Sequence, residues 1–134
     1  MTTNLNRNFF QYTPQTVQRA KRALSCSSFR LKLFQDMRNQ SVPIGQIAEQ
    51  KGVELGYAKQ GNSEAQTEDE LVWLINVGLL RREVDGQGLT DSFRLTPLGR
   101  QIIDLWERSE NEIPLASRKE RLVNWLTRWL KYPG

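Results

Sequence analysis

Between Thr67 and Trp106 the apolar pattern changes period twice, and this limits the fold more than any other feature of the chain. Thr67-Glu68-Asp69-Glu70 has the form of a capping box, a hydroxyl followed three residues on by a carboxylate. Leu71, Val72, Trp73, Leu74 and Ile75 continue it as a helix that stops at Gly78, since glycine takes a left-handed conformation without steric cost. Residues 79–85 and 91–96 are β-like runs around a loop containing Gly86 and Gly88, which is a hairpin signal. Thr96-Pro97 then opens a helix that turns Leu98, Ile102, Ile103, Leu105 and Trp106 inward. This succession predicts a mainly α chain with a small β-hairpin.

The flanking segments read as further helices. Thr13-Pro14 starts one that carries Val17, Ala20 and Leu24 on a single stripe, and Ser25-Cys26-Ser27-Ser28 breaks it. A second helix is expected over residues 28–39, with Phe29, Leu33, Phe34 and Met37 inward. Ser41-Val42-Pro43 is extended, because a residue before proline avoids the helical region. Residues 44–53 predict a short helix ended by Gly52, and residues 54–66 a loop with one helical turn near 55–60. Ser117-Arg118-Lys119-Glu120 is a second capping box, opening a last helix with Leu122, Val123, Trp125, Leu126, Trp129 and Leu130. Phe9, Phe10 and Tyr12 in the arm before the first helix are expected to pack on the body.

Composition narrows the function. A chain of 134 residues predicts one domain, residues 1–134, and 38% hydrophobic residues suit a soluble one. The longest apolar run, residues 71–80, is interrupted by Asn76, whereas a membrane span needs about 20 residues. Residues 1–10 lack the apolar stretch of a secretory signal, so a cytoplasmic location is expected. With no histidine there is no Ser/His/Asp triad, no Cys/His pair and no histidine metal ligand. We therefore expect no enzyme, no catalytic residue and no cofactor. The single Cys26 reads as a buried filler. The acidic cluster Glu64, Glu68, Asp69 and Glu70 lacks calcium-loop spacing and reads as a capped helix start, so no metal site is expected. The net charge of +4 is unevenly spread. Residues 1–52 hold eight basic side chains against two acidic, and residues 53–79 one against five. The basic end reads equally as a polyanion footprint or as solvated helix faces.

The order helix, helix, short strand, helix, loop, helix, hairpin, helix resembles a winged helix–turn–helix domain. Pro43-Ile44-x-x-Ile47-Ala48-x-x-x-Gly52-Val53 is similar to the first helix of that motif. Leu71-x-x-Leu74-x-x-x-Gly78-Leu79-Leu80-x-Arg82 is similar to a recognition helix running into the wing. Phe93-Arg94-Leu95-Thr96-Pro97-Leu98-Gly99-Arg100 resembles the second wing strand and following helix of MarR- and PadR-type bacterial regulators. The resemblance covers about residues 28–108, between an N-terminal arm and helix (1–27) and a C-terminal helix (109–134). Ile44, Ile47, Leu71, Leu74, Leu80, Leu95 and Leu98 would form its core.

The resemblance implies a dimeric regulator of transcription that binds double-stranded DNA through a recognition helix at residues 67–77. It implies contacts from Lys59, Gln60 and Asn62 in the loop, Thr67 on the helix, and Arg81, Arg82, Arg94 and Arg100 around the wing. It also implies a homodimer joined by the added terminal helices, through Val17, Leu24, Leu122, Trp125, Leu126, Trp129 and Leu130. Two other readings of the last helix stand beside this: its stripe covers the first helix of the same chain, or it lies on a membrane surface with Arg118, Lys119, Arg121, Arg128 and Lys131 on its polar side.

Three departures favour an alternative, in which the same fold binds a protein partner rather than DNA. The spacing from Gly52 to Gly78 is longer than in the MarR-type pattern. The expected recognition helix starts with carboxylates, which suit the helix dipole but repel phosphate. The loop over residues 85–91 has no Lys or Arg.

Overall fold

The structure, a computed structural model, describes residues 12–109, 113–114 and 116–129. It is mostly helical, with one small antiparallel sheet. Helix α1 (Pro14–Ser25) starts where Thr13 Oγ1 accepts the Thr16 N–H at 3.1 Å and proline occupies the first turn. It buries Ala20, Ala23 and Leu24. Tyr12 packs against the core, while Phe9 and Phe10 lie outside the described residues.

Helix α2 (Leu31–Met37) begins later than its sequence suggests. Phe29 is extended and bridges Ala58, with the Arg30 N–H donating to Tyr57 O at 2.9 Å and the Lys59 N–H to Ser28 O at 2.8 Å. Those cross-chain bonds hold residues 28–30 out of the helix, yet Phe29, Leu33, Phe34 and Met37 are all buried. The Tyr57 hydroxyl donates to Asp36 Oδ2 at 2.7 Å. Burial foremost, then this carboxylate, pushes the Tyr57 pKa up to about 12.

Strand β1 (Val42–Pro43) leads into a 3-10 turn (Ile44–Gln46) and helix α3 (Glu49–Glu54). The single helix expected over residues 44–53 is thus split, and Gly52 does not end it. Gly52 sits within α3, where an added Cβ would lie 1.8 Å from Ile47 O, so glycine is needed for close approach of the two turns. Glu49 is the only non-glycine residue with positive φ (56°) among the described residues, and its N–H donates to Asn62 O at 2.7 Å.

Helix α4 (Glu64–Asn76) starts before the expected capping box. Ser63 and Gln66 form the real one, each side chain bonding the other's backbone N–H. Gly78 ends the helix region at φ 90°, as its position predicts. Strands β2 (Leu80–Asp85) and β3 (Gly88–Leu95) form the hairpin, closed by the Gly86–Gln87 turn. Strand β3 therefore absorbs residues 88–90, which read as loop. Strand β1 pairs with the outer side of β3, so the sheet order is β1-β3-β2. Helix α5 (Pro97–Ser109) buries Leu98, Ile102, Ile103 and Trp106, but Leu105 is exposed. Helix α6 (Arg118–Trp129) packs on α1. Ile44, Ile47, Leu71, Leu74, Leu80, Leu95 and Leu98 all belong to one core with Phe34 and Phe93. Among the described residues no helix is long and apolar enough to cross a membrane.

Candidate interaction surfaces

Two faces carry the expectations drawn above: the α4–hairpin face, to which the resemblance assigns DNA, and the outer face of α6. Side chains exposed on the first turns of α4 are Glu64, Ala65, Gln66, Glu68 and Asp69, and the helix has no Lys or Arg. Thr67, expected as a DNA contact, is 1% exposed and points into the core. The reason is the earlier start of the helix, which rotates Thr67 from the cap into the buried face.

The acidic cluster disperses onto separate partners. Glu70 turns inward, accepting from Ser28 N at 2.9 Å, Ser28 Oγ at 2.8 Å and Asn62 Nδ2 at 3.3 Å. Glu68 pairs with Arg82 at 3.1 Å, and Asp69 with Arg128 at 2.6 Å. None of these partners is legible locally, because they lie 42, 14 and 59 residues away for Glu70–Ser28, Glu68–Arg82 and Asp69–Arg128.

The residues expected to grip DNA divide accordingly. Asn62 is tied to Ser28 Oγ at 3.2 Å as well as to Glu70. Arg82 is similarly committed. Its guanidinium lies 4.9 Å from the Phe93 ring centroid, donates to Thr90 O at 3.4 Å and faces both Glu68 and Asp91. Only 19% of its side chain is exposed, and its pair with Glu68 ties the hairpin to α4. Arg94 sits opposite Arg81 in the ladder and pairs with Glu83 at 3.5 Å. Lys59, Gln60, Arg81 and Arg100 are exposed, with Lys59 Nζ donating to Ser27 O and Gln60 to Asn62. At the hairpin tip Val84 and Leu89 are exposed.

Helix α6 has the expected capping box, with Glu120 N–H donating to Ser117 Oγ at 3.1 Å and Ser117 N–H to Glu120 Oε1 at 2.9 Å. Its polar side, not its apolar stripe, faces the body. Asn124 and Arg128 face the body, where Trp73 Nε1 donates to Asn124 Oδ1 at 3.1 Å and Arg128 meets Asp69. The apolar stripe faces out: Leu122 is 57% exposed, Trp125 54%, Leu126 41% and Trp129 67%. Trp125 and Trp129 lie against each other, with ring centroids 6.4 Å apart. Arg118, Lys119 and Arg121 are exposed beside them. The stripe does not cover α1. Of the residues grouped with it, Leu24 is 1% exposed and Val17 packs against the core, so neither belongs to a free surface. Leu130 lies outside the described residues.

A cleft of about 290 Å³ runs beneath α6, lined by Cys26, Asn62, Gln66, Glu70, Trp73, Asn124 and others. Cys26 is half-buried with Sγ 3.9 Å from Glu120 O. Burial pushes its pKa up, more than nearby Arg121 lowers it, so the thiol stays protonated and weakly nucleophilic.

A family model described as Npun_F0494-like matches residues 10–128, and the chain belongs to that family. No curated protein and no solved structure matches it.

Proposed function

We propose that this Npun_F0494-like chain is a winged-helix interaction module that binds protein, in place of the DNA-binding regulator its motifs resemble. The observation that carries this reading is the outward apolar face of α6. A patch of this kind on an otherwise polar helix marks a binding surface. The charge distribution supports the same reading. Phosphate neutralisation supplies most non-specific DNA affinity, yet the first turns of α4 expose three carboxylates, and Arg82 is spent on Glu68, Asp91 and Phe93. A cytoplasmic site of action and the lack of catalysis belong to this reading.

DNA binding is the second reading, favoured by exposed Arg81 and Arg100 near the hairpin. Fluorescence anisotropy with a random duplex separates the two. We expect no binding at low salt. Micromolar affinity that collapses as salt rises, and that Arg81→Glu abolishes, would establish the regulator instead.

A further inference from the structure

We infer that the outer face of α6 is occupied by α6 of a second copy, crossed antiparallel about a point between Trp125 and Leu126. This deepens the protein-binding reading and rests on it for the surface, while the geometry below selects the partner.

The exposed apolar positions are 122, 125, 126 and 129. Their spacing, three then one then three, is the same in both directions. Reversing the helix therefore lays the pattern on itself. A two-fold antiparallel crossing sets Leu122 against Trp129 of the second copy, and Trp125 against Leu126. Every layer then holds one tryptophan and one leucine, of equal combined volume, as close packing requires. A parallel pair would stack Trp on Trp and Leu on Leu, leaving layers of unequal thickness.

Charge selects the same direction. Arg118, Lys119 and Arg121 are exposed at the start of α6. A parallel pair would bring two such basic turns together. The antiparallel pair sends them to opposite ends of a helix of 12 residues, roughly 18 Å apart, beyond the Debye length of about 8 Å.

The helix is already oriented for this contact. Trp73 holds Asn124 and Asp69 holds Arg128 from the other side, so the surface is in place without rearrangement. The four side chains expose on the order of 500 Å² per copy. That is below the roughly 800 Å² per partner of a standard interface, so the dimer is reversible and concentration-dependent.

Sedimentation equilibrium of the full chain across the micromolar range tests the inference. We expect monomer–dimer exchange, with association weakened at least tenfold by Trp129→Glu at unchanged circular dichroism. Single-cysteine variants in a Cys26→Ser background then read the direction. Leu122→Cys mixed with Trp129→Cys forms a disulfide between copies under oxidation, and Leu122→Cys alone does not. A protein that stays monomeric throughout, whether or not it sediments with anionic phospholipid vesicles, overturns the inference. So does a dimer cross-linked by Leu122→Cys alone, or one untouched by Trp129→Glu. A dimer that also binds duplex DNA would overturn the protein-binding reading and leave this one standing.

Discussion

Helix α1 turns Ala20, Ala23 and Leu24 into the core, whereas α6, packed beside it, turns Leu122, Trp125, Leu126 and Trp129 to solvent. Both have 12 residues, both open on a hydroxyl cap, and both are amphipathic. The difference lies in what each meets. Helix α1 meets apolar side chains of the core. Helix α6 meets an indole N–H from Trp73 and a carboxylate from Asp69, which call for an acceptor and a cation. An amphipathic stripe thus defines a plane through a helix but not which side of that plane faces inward. The magnitudes also show why the α6 face remains a binding surface. One hydrogen bond contributes about 0.5–1.5 kcal/mol and one exposed ion pair about 0–1 kcal/mol. Burying four large apolar side chains would contribute about 1.5–3 kcal/mol for each, less whatever they already bury.

The largest effect expected is on the α1 side. Leu24→Ala should lower the unfolding free energy by about 2–5 kcal/mol, measured by urea denaturation. Its counterpart Leu122→Ala, measured on dilute monomer, should stay within about 0.5 kcal/mol of the parent. Equal losses would mean that both stripes are buried and would remove the contrast.

Asn124→Ala leaves the Trp73 indole without its acceptor and should cost about 1–3 kcal/mol. Adding Trp73→Phe should recover part of that loss, since the orphaned donor is gone. A double-mutant cycle showing no coupling would detach α6's orientation from this bond. Arg128→Ala should cost less, about 0–1 kcal/mol, because Asp69 is 76% exposed. That loss should shrink further in high salt, and a salt-independent loss would point to packing of the arginine stem.

The smallest effect is chemical. Cys26 lies between the two helices, and burial keeps its thiol protonated. Labelling by a thiol reagent should therefore be slow at neutral pH and accelerate as pH rises past the ordinary thiol range. The Asn124→Ala/Arg128→Ala double variant, in which α6 is loosened, should label faster. An unchanged rate would place Cys26 outside the control of α6.

Much of the fold was legible from local signals. Gly78, the Thr13 and Ser117 caps and the alternation around the hairpin located helix ends and strands to within a few residues. The start of α4 differs from its local signal. Thr67-Glu68-Asp69-Glu70 has the form of a capping box and residues 54–66 that of a loop, but the helix is capped by Ser63 and Gln66, with Thr67 filling the core and Glu70 held by Ser28 and Asn62. Gly52 read as a helix terminator, but it serves close approach to Ile47, which depends on how two turns stack. The surroundings of the expected DNA contacts depend most on tertiary structure. The charge of Arg82 was visible in the chain, but its engagement with Glu68, Asp91 and Phe93 was not.

Periodicity, caps and glycines determined by themselves that the chain is mainly helical with a small hairpin, since each acts within a turn or a strand pair. The amino-acid order also determined that the last helix has one apolar side. Which way that side points is visible only in the assembled protein, where Asn124 and Arg128 meet Trp73 and Asp69, 51 and 59 residues away. Hydrogen bonds and ion pairs act over a few ångströms, so their outcome depends on chain segments that only folding brings together.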